Sequence, residues 1–323
     1  MPKVVKIERF GDAEVMQIHE EASARIGAGE ARVEHIAVAL NYLDIMHRQG
    51  HYPLTLPTGL GVGGCGVIRE ISSESTELVV GDLVAYAGIP PGSYAEQRIV
   101  PADRLVKLPV DIDPTIAAAA LQHGITAAFL VEDAFPVAAG HLVLVHAAAG
   151  GVGTVLCQWA KWLGATVIGT VGSQEKVSHA LAHGCDHVIV STVENVAERV
   201  RAITGGRGVD VVYDSVGADT FESSLHSLTL RGMLVSFGSA SGDPEPFDIG
   251  DLAKLGSLYV TRPRFIHYVR TRPELLRYAT AFFERIRGGL KVPIGQTYSI
   301  EEVVRAHKDV ESRKTKGSTV ITF

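Results

Sequence analysis

Leu142-Val-Leu-Val-His146-Ala-Ala-Ala-Gly150-Gly151-Val152-Gly153 is the stretch whose reading decides the fold. A short aliphatic run ends in three closely spaced glycines, and these open onto the helix-forming run VLCQWAKWLG. Gly150 lets backbone approach a pyrophosphate, and Gly153 permits close packing of helix on strand. The helix N-terminus offers free N–H groups and the positive end of a dipole. A glycine-rich turn also serves purely as a tight connection, so its context decides.

That context is a repeated β-α pattern. Downstream come the strand ATVIGTV, a helix over 175–182, the strand HVIV, a helix to Thr204, the strand VDVVYD, a helix around Leu225 and the strand MLVSFG. Strands alternating with crossover helices imply a parallel sheet covered on both faces. Upstream, residues 1 to about 110 read as an irregular β-rich domain, with VVKIE, RVEHIAVAL, GVIREI, DLVAYA and YAEQRIV separated by turn residues. Pro114 suits a first helical turn, and the alanine-rich run to Phe129 predicts a helix linking the domains. From Pro273 a long helix, a strand near Tyr298, a helix through His307 and the strand STVITF are expected to return to the first domain. The expected fold is α/β: a β-rich domain of 1–120 completed by 265–323, and a doubly wound parallel-sheet domain of 121–264.

A chain of 323 residues suggests two domains at roughly 150 residues each. With 46% hydrophobic and 20% charged residues it is an ordinary globular protein, neither disordered nor fibrous. A net charge of -6 gives no basic footprint for tracking a nucleic-acid backbone. Cys65, Cys157 and Cys185 lie far apart without a CxxC pair, as expected of reduced thiols in a cytoplasmic protein. The opening MPKVVKIERFG has the pattern of a strand, with no apolar leader run. The most apolar stretch, 116–131, is interrupted by Gln122, His123 and Gly124, and is expected to be too short and too polar to span a bilayer. Neither nucleic acid nor membrane is an expected partner.

About twenty residues after the glycines, an NAD site normally carries an acidic residue at the end of the second strand. Here the strand end reads Thr170-Val171-Gly172-Ser173-Gln174-Glu175-Lys176. Ser173 and Lys176 are able to donate to a 2′-phosphate, which favours NADPH over NADH. A shifted register would instead aim Glu175 at the ribose, and Lys176 would then be an ordinary solvated lysine.

The residues also resemble the zeta-crystallin-like quinone oxidoreductases, the zinc-free branch of the medium-chain dehydrogenase/reductase superfamily. The resemblance covers nearly the whole chain. It rests on Asn41-Tyr42-Leu43-Asp44, Arg48-Gln-Gly50-His-Tyr52-Pro53, Gly124-Ile-Thr126-Ala127, the glycine turn, Val212-Tyr-Asp214-Ser215-Val-Gly217, Val235-Ser-Phe237-Gly238, Ser257-Leu-Tyr-Val-Thr261-Arg262-Pro263 and Glu311-Ser-Arg313. It implies a GroES-like catalytic domain, a Rossmann domain for NADPH and a homodimer formed through a sheet edge near 257–260.

The same resemblance puts Asn41, Tyr42, Asp44, Tyr52 and Thr126 around the nicotinamide. Gly150, Gly151, Val152 and Gly153 go to the pyrophosphate, and Gly172, Ser173, Lys176 and Ser191 to the adenosine phosphate end. Ser215, Phe237, Gly238, Thr261, Arg262 and Arg313 form the remaining cofactor wall. Ser191 stands where relatives often have tyrosine, which implies a weaker 2′-phosphate contact. Gly61-Val62-Gly63-Gly64-Cys65-Gly66 lacks the glutamate that relatives often carry.

Zinc alcohol dehydrogenases of the superfamily have Cys or His near position 41 and Gly-His-Glu near 61. This chain has Asn41 and Val62 there and no cysteine cluster over 85–100, so metal-free catalysis is expected. His179, His183 and His187 recur every four residues, but Gly184 is expected to end their helix before the third. His47 and His51 are interrupted by Gly50 and lack the HExxH glutamate. The implied activity is hydride transfer from NADPH to a quinone in the cleft between the domains, driven by proximity and orientation. Tyr52 is a candidate proton donor or positioning group, because a phenol is a poor acid at neutral pH. Arg262 and Arg264 are candidates for anion contact or ordinary surface arginines. Rival readings are an NADPH-dependent enone or alkenal double-bond reductase and, in another class, an NADPH-binding structural or RNA-binding protein.

Overall fold

The computed structural model describes residues 1–72, 77–88 and 90–323. They form two compact units. One comprises Met1–Ile125, Val269–Arg287 and Val292–Phe323; the other comprises Thr126–Tyr268 with Gly288–Lys291.

The first unit carries β1 (Lys3–Ile7), β2 (Gln17–Glu20), β3 (Glu30–Leu40), β4 (Thr58–Gly59), β5 (Gly63–Ile71), β6 (Leu83–Ala87), β7 (Gln97–Pro101) and β8 (Val106–Lys107). In β3 the residues of ARVEH alternate between buried and half-buried, the period of a strand with one face on a core. β3 pairs antiparallel with both β5 and β7. The glycines of 61–66 have a packing reason: a Cβ on Gly66 would stand 2.0 Å from the Glu34 carbonyl oxygen of β3, and one on Gly61 would strike the Ser93 side chain at 2.2 Å. Glycine at 66 lets the two backbones approach so closely, and glycine at 61 leaves room for the Ser93 and Tyr94 side chains.

The second unit carries β9 (Leu142–Val145), β10 (Thr166–Val171), β11 (His187–Val190), β12 (Val209–Asp214), β13 (Leu228–Ser236) and β14 (Tyr259–Thr261). They make one sheet in the order β11-β10-β9-β12-β13-β14, every neighbouring pair parallel. Counted within this unit the order is 3-2-1-4-5-6, the doubly wound arrangement whose strand order reverses beside its first strand. Leu144, Ile168, Ile189, Val212 and Leu234, one from each of five strands, share a single buried cluster.

Two further strands follow, β15 (Ile294–Ser299) and β16 (Ser318–Thr322). They return to the first unit, where β16 pairs antiparallel with β3 and parallel with β15. Val5, Ile7, Val38, Leu60, Tyr298, Val303 and Ile321 then fill one core.

The helices that matter for the site are α1 (Tyr42–Gln49), α2 (Pro114–Phe129) and α3 (Gly151–Trp162). α2 begins where the sequence predicts, because Asp113 Oδ1 accepts the N–H groups of Thr115 and Ile116 at 2.7 and 3.1 Å and Pro114 has no N–H to satisfy. The membrane expectation needs correction: with its last turns to Ala134, this helix has 21 residues and a mean hydropathy of 1.4, enough to cross a bilayer by length and composition. Gln122, His123 and Gly124 do not shorten it. It is 78% buried inside the protein, so its apolar character serves the core.

Candidate active site

In the second unit, the residues expected at the cofactor's phosphates and along its wall follow the strands at one end of the sheet. All six strands run the same way, and Gly150–Gly153 follow β9, Gly172–Lys176 follow β10, Ser191 follows β11, Ser215 follows β12, and Phe237 and Gly238 follow β13. Thr261 ends β14, with Arg262 next. In doubly wound sheets ligands bind at the carboxyl ends of the strands.

The turn after β9 is held tightly. Ala147 adopts a left-handed φ of 52°, Gly150 is extended at the head of α3, and the Gly150 N–H donates to the Ala147 carbonyl at 2.9 Å. A Cβ on Gly153 would stand 2.3 Å from that same carbonyl oxygen. Helix α3 therefore starts almost on the turn, with its first N–H groups free of intrahelical partners.

Beneath the turn lies a buried polar chain that the sequence reading missed. The Ser224 hydroxyl donates to Asp214 Oδ2 at 2.9 Å, and Asp214 also accepts from Thr220 and from the backbone of Val216 and Gly217. Ser224 therefore accepts from His146 Nε2 at 3.0 Å, leaving Nδ1 to accept from Thr170 Oγ1 at 3.0 Å. Burial lowers the His146 pKa, which suits this neutral tautomer. The only signal in sequence was a histidine at the end of a buried strand.

At the end of β10, a Cβ on Gly172 would meet nothing within 4 Å. Ser173 is extended, and Gln174–Lys176 form a single tight turn. Ser191 is exposed, and its hydroxyl donates to the Val171 carbonyl at 3.3 Å. Arg262 reaches back to the loop after β13, donating to Ser236 Oγ at 2.8 Å, the Gly238 carbonyl at 2.7 Å and Ser239 Oγ at 3.1 Å. A Cβ on Gly238 would lie 2.7 Å from the Ser215 carbonyl oxygen, so this crossing also requires glycine.

In the first unit, Asn41 heads α1 and forms a capping box with Asp44. Asp44 Oδ2 accepts the Asn41 N–H at 2.8 Å and the Tyr94 hydroxyl at 3.1 Å. Behind it, Tyr94 Oη lies 3.1 Å from His307 Nε2, whose Nδ1 faces Arg48 Nη1 at 3.1 Å, and Arg48 pairs with Glu311 at 2.6 Å. Burial raises the Asp44 carboxyl to about 7 and lowers His307 to about 3. Tyr42 and Tyr52 are half-buried, and the Tyr52 ring stands edge-on to His47. Thr126 belongs to the second unit and is buried. Arg313 belongs to the first and is exposed, with a left-handed φ of 56°.

The histidine series does not converge. The rings of His179 and His183 stack at 4.3 Å, with His183 Nδ1 on the His179 carbonyl and His179 Nε2 on Thr154 Oγ1. His187 starts β11. Among the described residues, no three His, Cys, Asp or Glu side chains are grouped to hold a metal ion.

Comparison with known proteins agrees with this architecture. Residues 27–110 match the alcohol dehydrogenase GroES-like domain, and 151–281 match the family described as zinc-binding dehydrogenase. A quinone oxidoreductase of Pseudomonas aeruginosa is 43% identical over 323 residues, covering 99% of each chain. A 2-haloacrylate reductase of a Burkholderia species is 40% identical over 303 residues, 91% of each. The crystal structure of Escherichia coli quinone oxidoreductase complexed with NADPH superposes with a TM-score of 0.97 at 40% identity, over 99% of this chain and 100% of that one. With a GroES-like unit, a doubly wound unit and relatives of this closeness along its whole length, the chain belongs to the quinone oxidoreductases of the medium-chain dehydrogenase/reductase superfamily.

Proposed function

We propose that this protein is an NADPH-dependent, metal-free quinone reductase. The observation that carries the reading is the glycine turn after β9, where only glycine at 153 leaves room for the helix N-terminus to sit on the turn. NADPH, when bound, supplies a hydride from nicotinamide C4. Gly150, Gly151 and Val152 cradle its pyrophosphate with backbone N–H groups, and Gly172, Ser173 and Lys176 hold the adenosine 2′-phosphate. Ser215, Phe237, Gly238, Thr261 and Arg313 line the cofactor, with Arg262 holding the loop that carries Gly238. The fit is supported by the open space over Gly172, where a side chain would otherwise stand. Asn41, Tyr42, Asp44, Tyr52 and Thr126 serve the nicotinamide end and the acceptor, with Tyr52 orienting the carbonyl oxygen or passing it a proton. Asn41 and Val62 occupy the positions at which zinc enzymes of the superfamily carry ligands.

A second reading has one specific support. The 2-haloacrylate reductase relative acts, by its name, on a carbon–carbon double bond, so a conjugated enone or alkenal is the alternative acceptor. A homodimer through β14 is also proposed, since β14 is the last strand of its sheet and Tyr259 on it is exposed.

The deciding assay is NADPH oxidation by chelator-treated protein with para-benzoquinone, beside NADH and beside an alkenal. Rapid quinone-dependent oxidation that prefers NADPH supports the proposal. Turnover on the alkenal alone replaces quinone by the second reading. Full turnover of Tyr52→Phe at saturating quinone removes the proton-donor role, and a monomer by light scattering removes the dimer.

A further inference from the structure

Two elements hold the carboxamide of Asn41, α2 directly and β16 through α2. From α2, His123 places Nε2 2.7 Å from Asn41 Oδ1, and Gln122 Oε1 accepts from Asn41 Nδ2 at 3.4 Å. From β16, Ser318 Oγ lies 3.3 Å from the other ring nitrogen, Nδ1 of His123. Asn41, His123 and Ser318 are 7%, 7% and 3% exposed, so water does not substitute for these partners.

A carboxamide presents nearly the same shape after a half-turn, but the turn exchanges an acceptor for a donor. The neighbours decide between the two. The Asp44 N–H is taken by the Asn41 backbone carbonyl at 2.9 Å, and the acceptor Gln122 Oε1 faces the Nδ2 end of the amide, so its oxygen lies on the other side. His123 faces the same oxygen and must therefore carry its proton on Nε2. Its Nδ1 is then a bare acceptor, and the Ser318 hydroxyl donates to it. Burial pushes the His123 pKa down to about 4, so the ring is neutral and one nitrogen is free for this role.

We propose that His123 is a positioning residue that locks the Asn41 amide with its oxygen inward, so that Asn41 meets its ligand only as an N–H donor toward an acceptor oxygen. The ligand oxygen is the carbonyl of the acceptor or a hydroxyl of the cofactor ribose. This rests on the reading of Asn41 as a residue of the nicotinamide end. A site selected in this way favours carbonyl compounds over alcohols whose hydroxyl must donate.

The experiment has two arms. In protein labelled with nitrogen-15 histidine, the His123 ring is expected to show a protonated Nε2 and an unprotonated Nδ1; the opposite tautomer overturns the proposal whatever the enzyme's substrate. In the second arm, His123→Gln keeps an N–H donor where Nε2 stood, His123→Leu removes it, and His123→Glu offers an acceptor that turns the amide round. With NADPH and para-benzoquinone, kcat/KM is expected to fall by about tenfold to a hundredfold in the Leu and Glu variants, a misplacement-sized loss, with most of it restored in the Gln variant at equal thermal stability. Leu and Gln variants of equal activity overturn the positioning role. Absence of turnover by the wild type on quinone and alkenal alike sinks the functional reading alone. The Asn41 side-chain amide shift, expected to move in His123→Glu and to stay near the wild-type position in His123→Gln, then decides the proposal.

Discussion

Tyr94 and the backbone of Asn41 both donate to one oxygen of Asp44, and its other oxygen, Oδ1, is buried without a hydrogen-bond partner among the described residues. Burial raises the carboxyl to about 7 against these two donors, which pull it down. An unfolded aspartate titrates near 3.9, so between about pH 4 and 7 the folded state holds a proton that the unfolded state has lost, and stability falls as pH rises through that window. Asp44→Asn keeps one oxygen for both donors and removes the charge. The stability of this variant is expected to gain on that of the wild type as pH rises from about 4 to 7, by at most a few kcal/mol at about 1.4 per pH unit, read from melting curves across that range. A difference that does not change with pH means that Asp44 is not the titrating group.

Gly124 faces a ring that cannot yield. A Cβ there would stand 2.1 Å from Phe282, which is fully buried. Overpacking of about 1–3 kcal/mol outweighs the ~1 kcal/mol that alanine gains in a helix. Gly124→Ala is expected to lower stability, and Phe282→Leu to cost less in its presence than alone. Simple additivity in that double-mutant cycle would show that the two sites do not touch.

Gly153→Ala tests the turn after β9. The added carbon meets backbone, the Ala147 carbonyl oxygen at 2.3 Å and Ala148 Cα at 2.9 Å, so no rotamer change relieves it. Lifting α3 from the turn is expected to raise the NADPH dissociation constant by about tenfold or more, some 1.4 kcal/mol. Unchanged affinity in a folded variant would move the pyrophosphate elsewhere.

Lys176 closes the short turn after β10 and is half-buried. Lys176→Ala is expected to raise KM for NADPH by about tenfold, the order of one charge-assisted contact, with KM for NADH unmoved. Equal losses with both cofactors would make the lysine a support of the turn and remove it as a reader of the phosphate.

Much of this was legible in sequence, for local reasons. Strand periodicity, the glycine spacing after β9 and Pro114 with Asp113 each act within a few residues, and the elements they predict are present. The polar chains were not legible: His146 with Ser224 and Asp214, and Asp44 with Tyr94 and His307, join residues that are distant in the chain. Their partners are set by tertiary packing, which leaves no local pattern. The α2 run misled for a related reason, since Gln122 and His123 read as interruptions of an apolar span. In the fold they are polar residues with dedicated buried or half-buried partners.

Thr319 of β16 pairs with Leu40 of β3, and the whole second unit is translated between them. On the ribosome, the second unit's parallel sheet emerges complete while β3 still lacks one flank. The barrier to finishing the first unit is thus the closure of a very long loop, and slow β pairing of this kind exposes hydrophobic edges while it waits. The strand that supplies Ser318 to His123 is the one that ends the wait, so the amide lock on Asn41 is among the last contacts of the first unit to form.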